Sequence, residues 1–252
     1  MGSPSTLAES AHLGGGRPGR RASLTIVVAA LFLAAALAGC GQRLPSGSQL
    51  VHRVARAMAK IPAYRITGTS RAGQTVTSFR VLVLRDGDFK GTLDIAAPGS
   101  KTFRSDVIAT AGKVYVRSPA ELAELGISSL PGNLDPATTW VLQPAAVGRS
   151  YRESVEPFAG AGLAATLTTA LKGTLTVRRS RLGGVPVLVV EETGGSSSLR
   201  LLVEANSDHL LELAITGDQP ISLRYSAFGS SQAVAPPPPP QVYVPPTPAA
   251  PG

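Results

Sequence analysis

A single cysteine, Cys40, stands in a chain of 252 residues. No intramolecular disulfide can form, and no cluster of thiolates can hold zinc or an iron–sulfur centre. Histidine is nearly as scarce, at His12, His52 and His209. Only 16% of the residues are charged and 5% aromatic, against roughly 25% charged in an ordinary globular domain, which is a thin supply of ionisable groups for a polar catalytic surface. No apolar run reaches the ~20 residues of a membrane-spanning helix, so a multispanning helical protein is excluded. What is plentiful is apolar side chain, at 43%. That suffices for one packed domain and rules out a disordered polyelectrolyte.

The N-terminus has the layout of a secretion signal. Arg17, Arg20 and Arg21 precede residues 24–37, where Thr25 is the one non-apolar residue, and the run closes on Leu37-Ala38-Gly39-Cys40. Basic region, apolar region and small residues before a cysteine look like the lipobox of bacterial lipoproteins, whose cysteine thiol receives a diacylglyceryl group. The only cysteine occupies the one position where lipidation needs it, and the apolar run is too short for a spanning anchor. Residues 1–39 are therefore expected to be a signal peptide, with Cys40 lipidated and residues 40–47 a linker. Two or more acyl chains hold a protein firmly to a bilayer, so the expected location is the extracytoplasmic face of the cell membrane, lipid-anchored. The chain carries +8 overall. Cleavage would remove three arginines and Glu9, leaving the protein basic. Outside the cytoplasm this favours anionic lipid headgroups or wall polymers as partners, and not nucleic acid.

Residues 236–252 are rich in proline, five of them consecutive from Pro236 to Pro240. Such a segment is extended or disordered, and residues 230–252 are expected to be a disordered tail. Residues 48–229 remain, enough for one domain.

Within it Leu50, Val51, Val54, Met58 and Ile61 fall on one arc at 100° per residue, with His52, Arg53, Arg56 and Lys60 opposite. This predicts an amphipathic helix capped by Ser46 or Ser48 and stopped by Pro62. Its basic face, about ten residues from Cys40, is within reach of an anionic membrane. From residue 64 the pattern changes to short β-branched segments separated by turn residues. Strands are predicted at 64–70, 75–85, 88–96, 103–110 and 113–117, then at 174–182, 185–193, 198–205, 209–216 and 221–228. Turns this short, such as Asp86-Gly87 and Gly183-Gly184, require antiparallel neighbours. Between the two sets lie a short helix over 119–125, Trp140, and a helix over 163–171 with Leu163, Leu167 and Leu171 in one stripe. His209 is expected to be exposed beside a polar turn.

Val81-Leu82-Val83-Leu84 and Val187-Leu188-Val189-Val190 show no polar alternation, so both faces of the sheet are covered there or one faces an apolar cavity. The fold class is α+β. A curved antiparallel sheet holding a ligand beneath a helix satisfies the pattern, and so does a solid β-sandwich.

Enzymatic readings fail on chemistry. His52 and His209 are the only histidines after processing, and neither lies near a Gly-x-Ser-x-Gly nucleophile elbow. Acidic pairs stand at Asp86/Asp88, Glu153/Glu156 and Glu191/Glu192, and two carboxylates can in principle serve as acid and base, but Asp86 and Asp88 flank a hairpin glycine and read as exposed turn residues. As a calcium loop, residues 86–97 place Lys90 and Ala97 where oxygen ligands are needed. No glycine loop follows a strand to cradle phosphate. No catalytic residue, metal site or cofactor is therefore expected.

The lipobox, the first helix ending at Ala59-Lys60-Ile61-Pro62, Gly112-Lys113-Val114-Tyr115-Val116 and Trp140 occur in an order that resembles the LppX/LprG family of actinobacterial lipoproteins. Pro157, Gly162-Leu163, Gly184-Val185-Pro186-Val187 and Leu223-Arg224-Tyr225-Ser226-Ala227-Phe228-Gly229 continue the likeness, which covers most of residues 48–240. The resemblance implies a half-open antiparallel β-barrel, similar to LolA-type carriers, with a few helices over a hydrophobic cavity. It implies binding of acylated lipids or lipoglycans and their movement across the cell envelope, with a possible envelope transport protein as partner. Cavity residues are then expected among Val81, Val83, Leu93, Ile95 and Ile108 of the strands and Leu163 and Leu167 of the helix, although alternation leaves the inward face open. An envelope scaffold or interaction lipoprotein with a packed core and no lipid cargo is the competing expectation.

Overall fold

The first ordered element begins where a serine can satisfy the free N–H groups of a helix start. In the computed structural model, which describes residues 43–245 apart from 97, 100–101, 119–121, 123–133, 136, 171–172, 195–197 and 231, helix α1 spans Gly47–Met58 with Ser46 as its N-cap. Gln49 N–H donates to Ser46 Oγ at 3.3 Å, and Ser46 N–H donates to Gln49 Oε1 at 3.2 Å. This reciprocal pair is a capping box. Leu50, Val51, Val54 and Met58 are buried on the predicted face. The helix unwinds through Ile61, also buried, before Pro62, which has no N–H with which to continue it. The signal segment, Cys40, Leu171 and the helix expected over 119–125, Leu122 excepted, lie outside the described residues.

Ten of the strands follow the two predicted sets closely. The first meander is β1 Ala63–Ala72, β2 Thr75–Leu84, β3 Phe89–Ala96, β4 Phe103–Thr110 and β5 Lys113–Arg117. A three-residue β6, Trp140–Leu142, pairs with β5. The second meander is β7 Thr174–Leu182, β8 Val185–Thr193, β9 Ser198–Glu204, β10 Leu210–Thr216 and β11 Ile221–Ser226. The two meanders join through β1 and β11, with Ile66 opposite Tyr225 and Gly68 opposite Leu223. With a short C-terminal strand β12, Val242–Tyr243, the result is one twelve-stranded sheet in the order β12-β6-β5-β4-β3-β2-β1-β11-β10-β9-β8-β7, antiparallel except at its β12–β6 end. The fold is thus a mostly-sheet α+β fold, as the sequence predicts.

Two glycines allow the strands to coil closely. A Cβ on Gly68 would stand 2.0 Å from the Ser222 carbonyl oxygen, and one on Gly91 would stand 2.1 Å from that of Arg80. Neither approach is possible with a side chain present, so both positions demand glycine, as at the bends of curved sheets.

Helices lie against one face. Besides α1 there are α2, Ala145–Val155, a 3₁₀ turn at Glu156–Phe158 and α3, Gly160–Ala170. The buried core draws Leu50 and Val54 from α1, Leu163 and Leu167 from α3, and Leu201, Leu213 and Leu223 from the sheet. Residues 44–252 form one unit that contains the whole of this core, which is what a part able to fold by itself requires.

The proline-rich tail departs from expectation over its described part. The Lys90 ammonium donates to the Ala233 carbonyl at 3.2 Å, and the Thr110 hydroxyl lies 3.3 Å from that of Val234. Val234 is buried, a second 3₁₀ turn covers Pro239–Gln241, and β12, Val242–Tyr243, runs parallel to β6. An extended proline segment makes no internal hydrogen bonds, so its carbonyls are available to neighbouring side chains. Leu82, Lys90 and Ile108 share one rung of the sheet's outer face, the rung that Lys90 fastens to the tail. The doubly apolar Val81–Leu84 run thus has helices on one side and the chain's own tail on the other.

Candidate functional site

The alternation of β2 creates the site. Ser78 and Arg80 turn outward, which places Thr77, Phe79 and Val81 on the face beneath the helices. Cross-strand register aligns Ile66, Val81 and Gly91 in one rung, Gly68, Phe79 and Leu93 in the next, and Ser70, Thr77 and Ile95 in a third. Helix α2 crosses above with Val147, Ser150, Tyr151, Ser154 and Val155, and Phe158 follows from the 3₁₀ turn. Between helix and sheet is a cleft of about 400 Å³ lined by these residues. Ile95 and Val147 are 37% and 43% exposed, so the cleft opens to solvent past apolar side chains.

Its chemistry is uniform. Ser70, Thr77, Ser150, Ser154 and the Tyr151 phenol supply the polar atoms, and among the described residues no Asp, Glu, Lys, Arg or His is in the lining. Phe79 and Phe158 stack with ring centres 6.4 Å apart and planes 17° from parallel. Phe158 is positioned by two tyrosines of the central strands: Gly160 N–H donates to Tyr64 Oη at 2.7 Å, and Tyr225 Oη donates to the Phe158 carbonyl at 3.4 Å. Burial raises the Tyr64 pKa, the Gly160 N–H opposing it, and raises that of Tyr225 well above its ordinary value, Tyr64 adding to the effect. Both phenols thus keep their protons and their hydrogen-bonding roles.

The residues expected to form a cavity separate into three groups. Val81, Leu93 and Ile95 line the cleft. Val83 sits one rung deeper beside Phe89, and Leu163 and Leu167 are fully buried in the core. Ile108 needs correction, because it lies in register with Lys90 and Tyr115 on the outer face, while Val107 and Ala109 point inward. Ile66, Phe79, Tyr151, Val155 and Phe158 were not foreseen. Arg80 held the missing signal for β2: an arginine there fixes the outward parity and hence the inward set.

The basic face of α1 is also smaller than expected. Arg53 forms a bidentate pair with Asp208, Nε to Oδ2 at 2.9 Å and Nη2 to Oδ1 at 2.6 Å, so only His52, Arg56 and Lys60 remain exposed. His209 is half-buried, its ring 4.6 Å from that of Phe228. Asp86 and Asp88 serve their turn: Asp86 Oδ1 accepts from Asp88 N–H at 3.0 Å, and Asp88 Oδ2 accepts from Thr110 and from Ala111 N–H.

No protein-family model and no curated protein matches the chain. Among solved structures it is similar to MucB in complex with MucA(peri), with a TM-score of 0.35 and 15% identity over 74% of this chain and 57% of that one. It is similar to MucB alone, with a TM-score of 0.35 and 14% identity over 75% and 60% of the two chains. The Pseudomonas aeruginosa MucA/MucB complex gives a TM-score of 0.33 and 16% identity over 74% and 58%. This chain therefore spans less than two thirds of the length of these neighbours, and at such scores the likeness carries no argument about function.

Proposed function

We propose that the chain binds an acylated lipid in the cleft under α2, as a membrane-tethered extracytoplasmic lipoprotein without enzymatic activity. One observation carries this reading: the cleft is predominantly apolar, its described lining has no charged group, and it is entered between exposed Ile95 and Val147. A fully enclosed core would have no reason to leave two large apolar residues at a mouth. The volume is toward the lower end of the ~300–1,000 Å³ usual for small-molecule sites, which suits one acyl chain better than several. Removing acyl surface from water contributes about 0.8 kcal/mol per CH₂, so affinity should follow chain length. The sheet that coils at Gly68 and Gly91 is compatible with the half-open barrel implied by the resemblance to LppX/LprG lipoproteins, which also supports an acylated lipid or lipoglycan as ligand and carriage across the envelope.

The placement of α1 supports the tether. Gly47 lies against Leu175 at the start of β7. By antiparallel alternation this is the strand end at which Ser70, Thr77 and Ile95 flank the cleft. Helix α1, where the described domain begins, is therefore at the strand end that flanks the cleft.

The test is mass spectrometry of an organic extract from residues 44–252 produced in a lipid-containing host. A stoichiometric acylated species, absent from an unrelated protein handled alike, supports the reading; a clean extract with no uptake of fluorescent lipid sinks it in favour of the scaffold. Thr77→Trp should block uptake and leave the fold intact, whereas Val83→Trp or Leu163→Trp should destabilise the buried core.

A further inference from the structure

The outer face of the sheet handles its arginines in two ways. Toward β7, Arg178 and Glu191 meet at 3.1 Å, Arg200 and Glu191 at 3.6 Å, and Arg200 and Glu212 at 3.7 Å. Toward β5, Arg117 grips Asp106 at 2.7 Å and covers the Trp140 ring at 4.8 Å. Between these paired regions Arg65 on β1, Arg80 on β2 and Arg224 on β11 are exposed, and among the described residues no ion pair involves them.

Register gathers the three around one residue. Thr67 is opposite Arg224 on one side and Arg80 on the other. Arg65 is two positions back along β1, diagonal to both. Diagonal side chains are separated by about 7–8 Å, and Arg80 and Arg224, two strands apart, by about 10 Å, so three guanidiniums share one face over a floor of Thr67, Ser78, Ser222 and Ser226. Arg71 and Arg104 extend the patch along β1 and across to β4. Glu212, opposite Arg224, already serves Arg200. Like charges at this spacing on one exposed face repel one another. Glu212 opposite Arg224 and Asp94 diagonal to Arg80 supply part of the counter-charge, yet neither forms an ion pair with the three arginines among the described residues, and the surplus of positive charge points to a counter-charge supplied from outside.

We propose that Arg65, Arg80 and Arg224 form a docking surface for the phosphate groups of an anionic bilayer. The planar guanidinium fork pairs with phosphate oxygens in a bidentate manner. An array of phosphates fits better than a single one. The arginines spread over an open face spanning β11, β1, β2 and β4, and the shallow depression between Arg80 and Arg104 also contains Asp94, whose carboxylate would repel a lone anion held there. This surface is on the other side of the sheet from the cleft and is independent of what the cleft binds.

The experiment is co-sedimentation of residues 44–252 with vesicles of equal parts phosphatidylglycerol and phosphatidylcholine, and with phosphatidylcholine alone. Binding to the anionic vesicles only, weakening with added salt, is expected. Each arginine near such a surface is worth roughly fivefold in affinity, so R65Q/R80Q/R224Q should lose on the order of 100-fold, while R65K/R80K/R224K keeps most of the binding. R178Q/R200Q, which removes paired arginines of the same face, should lose far less. Equal losses in the two glutamine variants, binding to neutral vesicles alone, or retention on a soluble polyphosphate without vesicle binding would each overturn the proposal. Relief of like-charge repulsion should leave the thermal midpoint of the triple variant at or above that of the parent. Should that variant not fold, Arg80→Gln alone must still show its fivefold loss.

Discussion

Tyr225 shows how one residue ties stability to solution conditions. Its buried phenol releases its proton far above the ordinary value of 10.0, whereas in the unfolded chain it ionises near ~10. The folded state thus holds the proton more tightly. This stabilisation is complete below about pH 10 and is lost as the pH rises beyond it, at up to about 1.4 kcal/mol per pH unit. Urea melts at about pH 9 and about pH 11 should show a smaller alkaline loss for Tyr225→Phe than for the parent. Gly68 and Gly91 make a different demand. Alanine at either would push a methyl against a carbonyl of the next strand, and each substitution should lower stability by about 1–3 kcal/mol or more, read as a shift in urea midpoint. Residue-scale legibility was uneven for a physical reason. Val107 and Ile108 are both apolar, so side-chain type alone could not say which faces in. Ile108 faces out because its rung contains Lys90, while Val107 shares the inward rung of Gly91 and Val81.

At the scale of elements, the strands were legible because β-branched runs and tight turns are local signals. The boundaries of β4, β5, β7 and β8 were read to the residue. Helix α1 was equally clear from its apolar arc. Removing its cap by Ser46→Ala should cost about 1 kcal/mol in a thermal or denaturant melt. Helix α2 went unseen because Ala145–Val155 contains an interior glycine and several polar residues without an apolar stripe, and it buries only Gly148 and Val155. That weak attachment distinguishes it from α1, which buries six residues. The amides of α2 should exchange with deuterium well ahead of those of α1, and bound lipid should slow exchange in α2 more than in α1. Equal protection of both helices in the free protein would show that α2 is not the loosely held cover of the cleft. Strands β6 and β12 were hidden for another reason, since a three-residue and a two-residue strand find each other only through a distant parallel pairing.

Across the whole molecule, the two halves of the helix-covered face differ in use. Under α1 and α3 the core is closed by leucine, and under α2 it is open. The general architecture could be read from the order of the segments; the position of the opening could not, because it depends on which helix seats poorly. The tail belongs to this scale as well. Ending the chain at Ser230 removes the partners of Lys90 and β6 and uncovers an edge of the sheet. Such a protein should aggregate sooner on heating, which light scattering would register.

The seam between β1 and β11 sets the order in which the molecule can be made. Strand β1 is the first strand of the sheet, and one of its two neighbours is the last strand of the second meander. Each meander can zip up from hairpins as the chain is made, but the seam waits until nearly the entire domain has emerged. Long-range closure of this kind is slow compared with local pairing. Until it happens the edge of β1 that faces β11 is unpaired, and a nascent chain of this protein is at its most vulnerable along the strand that later becomes the middle of the finished sheet.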